Sequence, residues 1–214
     1  MADDPADDTL DRLAAHRLVP VVVIDDAADA GPLAAALVAG GLPVAEVTFR
    51  TAAAADAVRA MADRGDVLVG AGTVLTPAQV DAAVAAGARY IVSPGTSRAV
   101  VERCAELGVP ALPGAVTATE VQAALELGCT TVKFFPAGTS GGPAAVTALA
   151  APFGGVRFVP TGGIGPATVA DYLALPSVVA VGGSWMVPRD RIRAGDLDAV
   201  RALTAQAVAL VSAG

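Results

Sequence analysis

The residue in this sequence best suited to covalent chemistry is a lysine inside an apolar run, Thr131-Val132-Lys133-Phe134-Phe135-Pro136. Lys133 is the only lysine of the chain, the other thirteen of its fourteen basic residues being arginines. Val132, Phe134 and Phe135 favour a strand, and desolvation there favours the neutral, nucleophilic amine over the ammonium. A guanidinium stays protonated and forms no imine, so arginine could not replace a lysine whose task is to attack a carbonyl. The alternative is a lysine paired with a carboxylate or reaching solvent at a strand end. A chain that serves its surface with arginine has little reason to keep one lysine there.

A second stretch, Val44-Ala45-Glu46-Val47-Thr48-Phe49-Arg50, alternates in character. Along a strand, Glu46, Thr48 and Arg50 fall on one face and Ala45, Val47 and Phe49 on the other. The apolar face is expected to pack under helices and the polar face to point inward. A carboxylate and a guanidinium are costly to bury unless they pair or meet a ligand, so either a structural Glu46–Arg50 pair or a ligand site is expected. Of the five glutamates, Glu102, Glu106, Glu120 and Glu126 lie in helical stretches, and Glu46 alone lies in a strand-like one.

Glycine-bearing turns follow several strand-like stretches: Gly70-Ala-Gly72-Thr73, Ser93-Pro94-Gly95-Thr96 and Pro113-Gly114. They allow a backbone to approach a ligand closely, and they also simply turn chains. Pro160-Thr161-Gly162-Gly163-Ile164 and Val181-Gly182-Gly183-Ser184 stand out because they close the last two strands. In a barrel of alternating strands and helices those two loops commonly bind phosphate through backbone N–H groups.

The elements that must position these groups repeat regularly. A first helix is expected at about 6–15, then a continuous apolar run at 18–24 of the kind buried on both faces of a parallel sheet. Further strands are expected at 44–48, 67–70, 90–93, 111–113, 131–135, 157–160 and 178–181. Alanine-rich helical stretches lie between them, three closed by Gly87, Gly108 and Gly128. Eight strand–helix units imply a (β/α)8 TIM barrel with an extra N-terminal helix, spanning residues 1–214 as a single domain. An open doubly wound sheet is the alternative, but no Gly-x-Gly-x-x-Gly follows the first strand. In a barrel the reacting groups stand at strand C-termini, where the residues above fall.

Composition narrows the function classes. The chain of 214 residues is 54% hydrophobic and 16% charged, which suits a compact globular protein with a sizeable core. No apolar run is long enough to span a bilayer, and the acidic start lacks a signal-peptide layout, so a cytoplasmic protein is expected. A net charge of −7 argues against nucleic acid or an anionic membrane as partner. Asp3, Asp4, Asp7, Asp8 and Asp11 contribute much of that charge and are read as a solvated start. Cys104 and Cys129 are expected to be small reduced core residues. The single histidine, His16, is read as a surface or interface residue, and it leaves too few ligands for a metal-dependent lyase.

These motifs together resemble the 2-dehydro-3-deoxy-6-phosphogluconate (KDPG) aldolase / 4-hydroxy-2-oxoglutarate (KHG) aldolase family. The resemblance runs through Glu-Val-Thr-Phe-Arg-Thr at 46–51, Gly-Ala-Gly-Thr-Val-Leu at 70–75 and Ser-Pro-Gly at 93–95. It continues through Val-Lys-Phe-Phe-Pro-Ala at 132–137, Pro-Thr-Gly-Gly-Ile at 160–164 and Gly-Gly-Ser-Trp at 182–185. It implies a Schiff-base aldolase without cofactor or metal, acting on a phosphorylated 2-keto acid as a homotrimer. Lys133 would form the imine and Glu46 would serve as general acid and base. Arg50 and Thr73 would hold the pyruvate carboxylate, Pro94 and Phe135 would wall the pocket, and Thr161 would set stereochemistry. Gly162, Gly163 and Ser184 would meet the phosphate. A phosphate-binding isomerase or synthase of the phosphoribosyl type, or a non-catalytic phosphate-binding barrel, would explain the glycine loops but not the lysine and glutamate.

Overall fold

Strands and helices alternate along the described chain, which ends on two successive helices. The computed structural model describes the backbone of residues 5–212 and the side chains from Thr9 onward, so the expected solvated start on Asp3, Asp4, Asp7 and Asp8 falls outside the described residues. Helix α1 (Pro5–His16) leads into β1 (Leu18–Val22), α2 (Ala30–Ala39), β2 (Val44–Thr48), α3 (Ala54–Ala62), β3 (Leu68–Gly72) and α4 (Pro77–Ala85). Then come β4 (Ile91–Val92), α5 (Arg98–Glu106), β5 (Ala111–Leu112), α6 (Ala118–Glu126), β6 (Thr131–Phe134) and α7 (Gly142–Ala150). The chain finishes with β7 (Arg157–Pro160), α8 (Val169–Leu173), β8 (Val181–Gly183), α9 (Arg189–Arg193) and α10 (Leu197–Ser212).

All pairings are parallel. Six strands form one ladder in the order β5-β4-β3-β2-β1-β8, and β6 pairs with β7 in a second. Single bridges link the ladders: Gly114 to Lys133 on one side, Phe158 to Val178 and Thr161 to Gly182 on the other. The result is an α/β fold around a curled parallel sheet. Every residue of β2, β3 and β6 is buried, including the polar Glu46, Thr48, Thr131 and Lys133, as strands of a parallel sheet covered on both faces require. The helices stop where glycine allows it, with Gly87, Gly108 and Gly128 at positive φ just beyond α4, α5 and α6. At its start, α6 carries a full capping box, Thr117 accepting from the Glu120 amide while the Glu120 carboxylate accepts from Thr117.

Several boundaries differ from the sequence reading, each for a local reason. β1 ends at Val22, and a short 3₁₀ turn (Ala27–Asp29), capped by the Asp26 side chain, precedes α2. β3 extends through Gly70-Ala71-Gly72, because Thr48 pairs with Gly72 along the full length of β2. β8 starts only at Val181 and includes Gly182 and Gly183, which pair with Val19 and Pro20. Those two glycines belong to a strand, not to a phosphate loop. Their side-chain positions are already taken, by Thr161 at Gly182 and by the Trp185 ring at Gly183.

Cys104 is buried, Cys129 is half-buried, and neither is in a disulfide. No described helix is long and apolar enough to cross a membrane.

Candidate active site

Strands β2 and β6 aim a carboxylate and an amine at each other inside the sheet. Lys133 Nζ lies 3.1 Å from Glu46 Oε1, and the two residues are 5% and 3% exposed. β6 is fixed here by two backbone bonds, the Lys133 amide donating to the Pro113 carbonyl and the Ala115 amide donating to the Lys133 carbonyl, both at 2.9 Å. Lys133 Nζ also stands 5.2 Å from the centroid of the Phe135 ring. Lys133 is thus paired with a carboxylate, the alternative that its sequence context left open, and such pairing is what lets two ionisable groups be buried together. The expected alternative pair of Glu46 with Arg50 is overturned. β2 ends at Thr48, the Arg50 amide turns back to bond the Thr48 carbonyl at 2.8 Å, and the Arg50 side chain is exposed.

The glycines of β3 explain how the carboxylate fits. Gly70 and Gly72 lie two residues apart, so both face inward. A β-carbon on Gly72 would collide with the Glu46 carboxyl group, and one on Gly70 would collide with the ring of Tyr90. The Tyr90 hydroxyl crosses beneath and donates to the Ala45 carbonyl at 2.8 Å. Burial, followed by the nearby Glu46 charge, raises the Tyr90 pKa well above the usual phenol value. Glu46, Tyr90, Lys133 and Thr161 share an enclosed space of only ≈ 10 Å³ with Leu13, Val19, Val92, Leu112 and Val159. Leu13 comes from α1, which therefore packs against this same enclosed space.

At the C-terminal ends of the strands the remaining predicted residues form a rim. Thr48 is buried and donates to the Val22 carbonyl at 2.9 Å, and Thr51 donates to that of Ile24 at 2.5 Å, so the turn carrying Arg50 is tied to β1. Arg50 has no side-chain hydrogen bond or ion pair among the described residues. Thr73 holds φ 58, a left-handed conformation that a β-branched residue rarely adopts. Pro94 is half-buried, and its carbonyl occupies the space that a Gly114 side chain would need. Thr161 is buried where β7 meets β8.

Gly162 and Gly163 sit at φ 95 and φ 74, with Gly162 lying against the Phe135 ring. Among the described residues their amides donate to no acceptor, and Ser184 nearby in the fold is exposed. The structure thus brings Lys133, Glu46, Phe135 and Thr161 together, and it places Arg50, Thr73, Pro94, Gly162, Gly163 and Ser184 on loops that follow strand C-termini. The sequence reading missed Tyr90. Its signal was the i, i+2 spacing of Gly70 and Gly72, which vacates two inward positions that larger neighbours must fill.

The sequence model of the KDPG and KHG aldolases matches residues 10–203. This chain belongs to the KDPG and KHG aldolase family. It is 52% identical over 196 residues to the 2-dehydro-3-deoxy-phosphogluconate aldolase of Treponema pallidum (strain Nichols), covering 91% of this chain and 93% of that one. The aldolase-family structure from Zymomonas mobilis ZM4, solved with 3-phosphoglycerate, superposes with a TM-score of 0.89 at 42% identity, covering 96% and 97% of the two chains. The KDPG aldolase of Legionella pneumophila, with pyruvate captured as a covalent carbinolamine, superposes with a TM-score of 0.87 at 41% identity, covering 90% and 94%.

Proposed function

We propose that this chain is a class I aldolase that cleaves 2-dehydro-3-deoxy-6-phosphogluconate to pyruvate and D-glyceraldehyde 3-phosphate. The observation that carries the reading is the buried pair, Lys133 Nζ at 3.1 Å from Glu46 Oε1, in a family whose relatives bear that activity in their names. The Lys133 amine adds to the C2 ketone, and loss of water gives a protonated imine that draws electrons from C3. Glu46 accepts the C4 hydroxyl proton, the C3–C4 bond breaks, and the aldehyde departs. The electron pair left on C3 forms an enamine. Glu46 returns a proton to C3, and hydrolysis of the imine frees pyruvate and the amine. One carboxyl alternating between base and acid contributes about 10²- to 10⁴-fold in rate.

The rim residues take the roles that the substrate's charges require. Arg50 is exposed and its side chain has no partner among the described residues, and its planar fork suits the carboxylate of the keto acid, with Thr73 beside it. Pro94 and Phe135 wall the pocket. Thr161 faces the carbon whose configuration is selected, and the open amides of Gly162 and Gly163, with Ser184, receive the phosphate. 4-Hydroxy-2-oxoglutarate presents the same pyruvate half, so the same amine and carboxylate act on it. We read the two ladders and their bridges as one closed (β/α)8 barrel forming a single domain, and the working enzyme as a cytoplasmic homotrimer.

Incubation with pyruvate and borohydride tests the chemistry. The expected result is the mass of one reduced pyruvyl group per chain, mapping to Lys133 and absent from Lys133→Arg. A folded protein that gains no such mass would refute the Schiff-base reading.

A further inference from the structure

We propose that Tyr90 is a positioning residue for the acid–base carboxylate, an inference that rests on the Schiff-base reading above. Its hydroxyl fixes the peptide plane from which Glu46 projects. Tyr90 is fully buried just ahead of β4, yet its hydroxyl bonds the Ala45 carbonyl at 2.8 Å, two strands away on β2. It reaches that far because β3, which lies between, has no side chain at Gly70. Glu46 pairs with Gly70 in the register, so the ring fills the layer at the level of the Glu46 backbone. The carboxyl group leans one layer further, into the space left by Gly72.

The carbonyl that Tyr90 holds belongs to the peptide bond joining Ala45 to Glu46. Rotation of that plane would swing the Glu46 Cα–Cβ bond, and a carboxylate that exchanges protons with both C3 and a C4 hydroxyl tolerates displacements well below 1 Å. The hydroxyl hydrogen is committed to the Ala45 carbonyl at 2.8 Å and not to the space between Glu46 and Lys133. Its action is through Glu46 alone.

This assignment predicts a split between two steps that pyruvate alone reports. Imine formation requires the Lys133 amine, and borohydride trapping measures it. Exchange of the pyruvate C3 hydrogens for deuterium additionally requires a base that removes a C3 proton from the imine and returns a deuteron, and NMR in D₂O measures it. In Tyr90→Phe, which keeps the ring and its packing, C3 exchange and kcat should each fall about 3- to 10-fold, the effect of losing one orienting hydrogen bond. Trapping rate and KM should stay within about twofold. Tyr90→Met, which also lacks the hydroxyl and fills a comparable volume, should show the same split.

Full-rate exchange in either folded variant, or an equal fall in exchange and trapping, would overturn the assignment. Failure of the parent chain itself to trap pyruvate would instead refute the Schiff-base reading.

Discussion

The carboxyl group of Glu46 occupies the space that a β-carbon on Gly72 would fill. A glycine that reads in the sequence as a turn residue is thus a strand residue whose missing side chain makes room for the carboxyl group of Glu46. Gly72→Ala should push the carboxylate away from Lys133 while leaving the amine in place. Overpacking of this kind costs about 1–3 kcal/mol of stability. We expect kcat to fall at least about tenfold, with borohydride trapping of pyruvate retained. Parent-like turnover in Gly72→Ala would show that Glu46 need not sit where it does.

Glu46→Gln separates the charge of that group from its shape. The amide fills the same space and can still accept from Lys133, so imine formation should persist. Loss of the proton-transferring carboxyl should lower kcat by about 10²- to 10⁴-fold. Steady-state turnover alongside trapping makes the comparison, and near-normal turnover would remove Glu46 from the mechanism.

Arg50 stands on the rim, exposed and with no side-chain partner among the described residues, so its removal should leave the fold unchanged. Arg50→Ala is expected to keep its thermal midpoint, with stability altered by no more than about 0.5 kcal/mol. A charge-assisted bond to the keto-acid carboxylate is worth about 1.5–3 kcal/mol, so KM for the substrate should rise roughly 10- to 100-fold. A large drop in thermal midpoint with unchanged KM would make Arg50 a structural residue.

Gly162 combines φ 95 with contact against Phe135, so a side chain there is strained and crowded at once. Gly162→Ala should disturb the open amides of the β7 loop without touching Lys133. The expected signature is a rise of about tenfold or more in KM for the phosphorylated substrate. The effect on 4-hydroxy-2-oxoglutarate, which carries no phosphate, should be several-fold smaller. Equal losses on both substrates would count against a phosphate role for this loop.

The strand–helix alternation, the amine at 133 and the carboxylate at 46 were legible because each is a local signal: an apolar run, a residue type out of place, a period of two. The alternative Glu46–Arg50 pair fails because the period of two was carried past the end of β2, where the chain turns at Thr48 and the alternation no longer holds. Gly182 and Gly183 read as a loop because a glycine pair looks the same whether it turns the chain or makes room for a neighbour. Only the positions of Thr161 and Trp185 tell the two apart. Tyr90 could not have been paired with Ala45 from sequence, since the contact spans an intervening strand and depends on the absent side chain of Gly70. Long-range complementarity of that kind has no local signature.

The two thiols make the alkaline behaviour of the fold predictable. Burial pushes Cys104 up to about 12, with the nearby Cys129 adding to it, and burial pushes Cys129 up to about 11, both from 9.0. The folded state therefore keeps its thiol protons at pH values where the unfolded chain has released them. With more protons bound in the native state, stability falls as pH rises, beginning near pH 9.0 and continuing to about 11 for Cys129 and about 12 for Cys104. More than about one pH unit below 9.0 neither thiol contributes much slope. Each titrating group can contribute at most about 1.4 kcal/mol per pH unit, and partial exposure of Cys129 reduces its share. Urea midpoints measured with reductant from pH 8 to pH 10.5 should decline in the parent chain. In the Cys104→Ala, Cys129→Ala double variant they should start lower, because a buried side chain has been cut back, but decline less steeply over the same range. Parallel curves would show that the thiols titrate alike in the folded and unfolded chain.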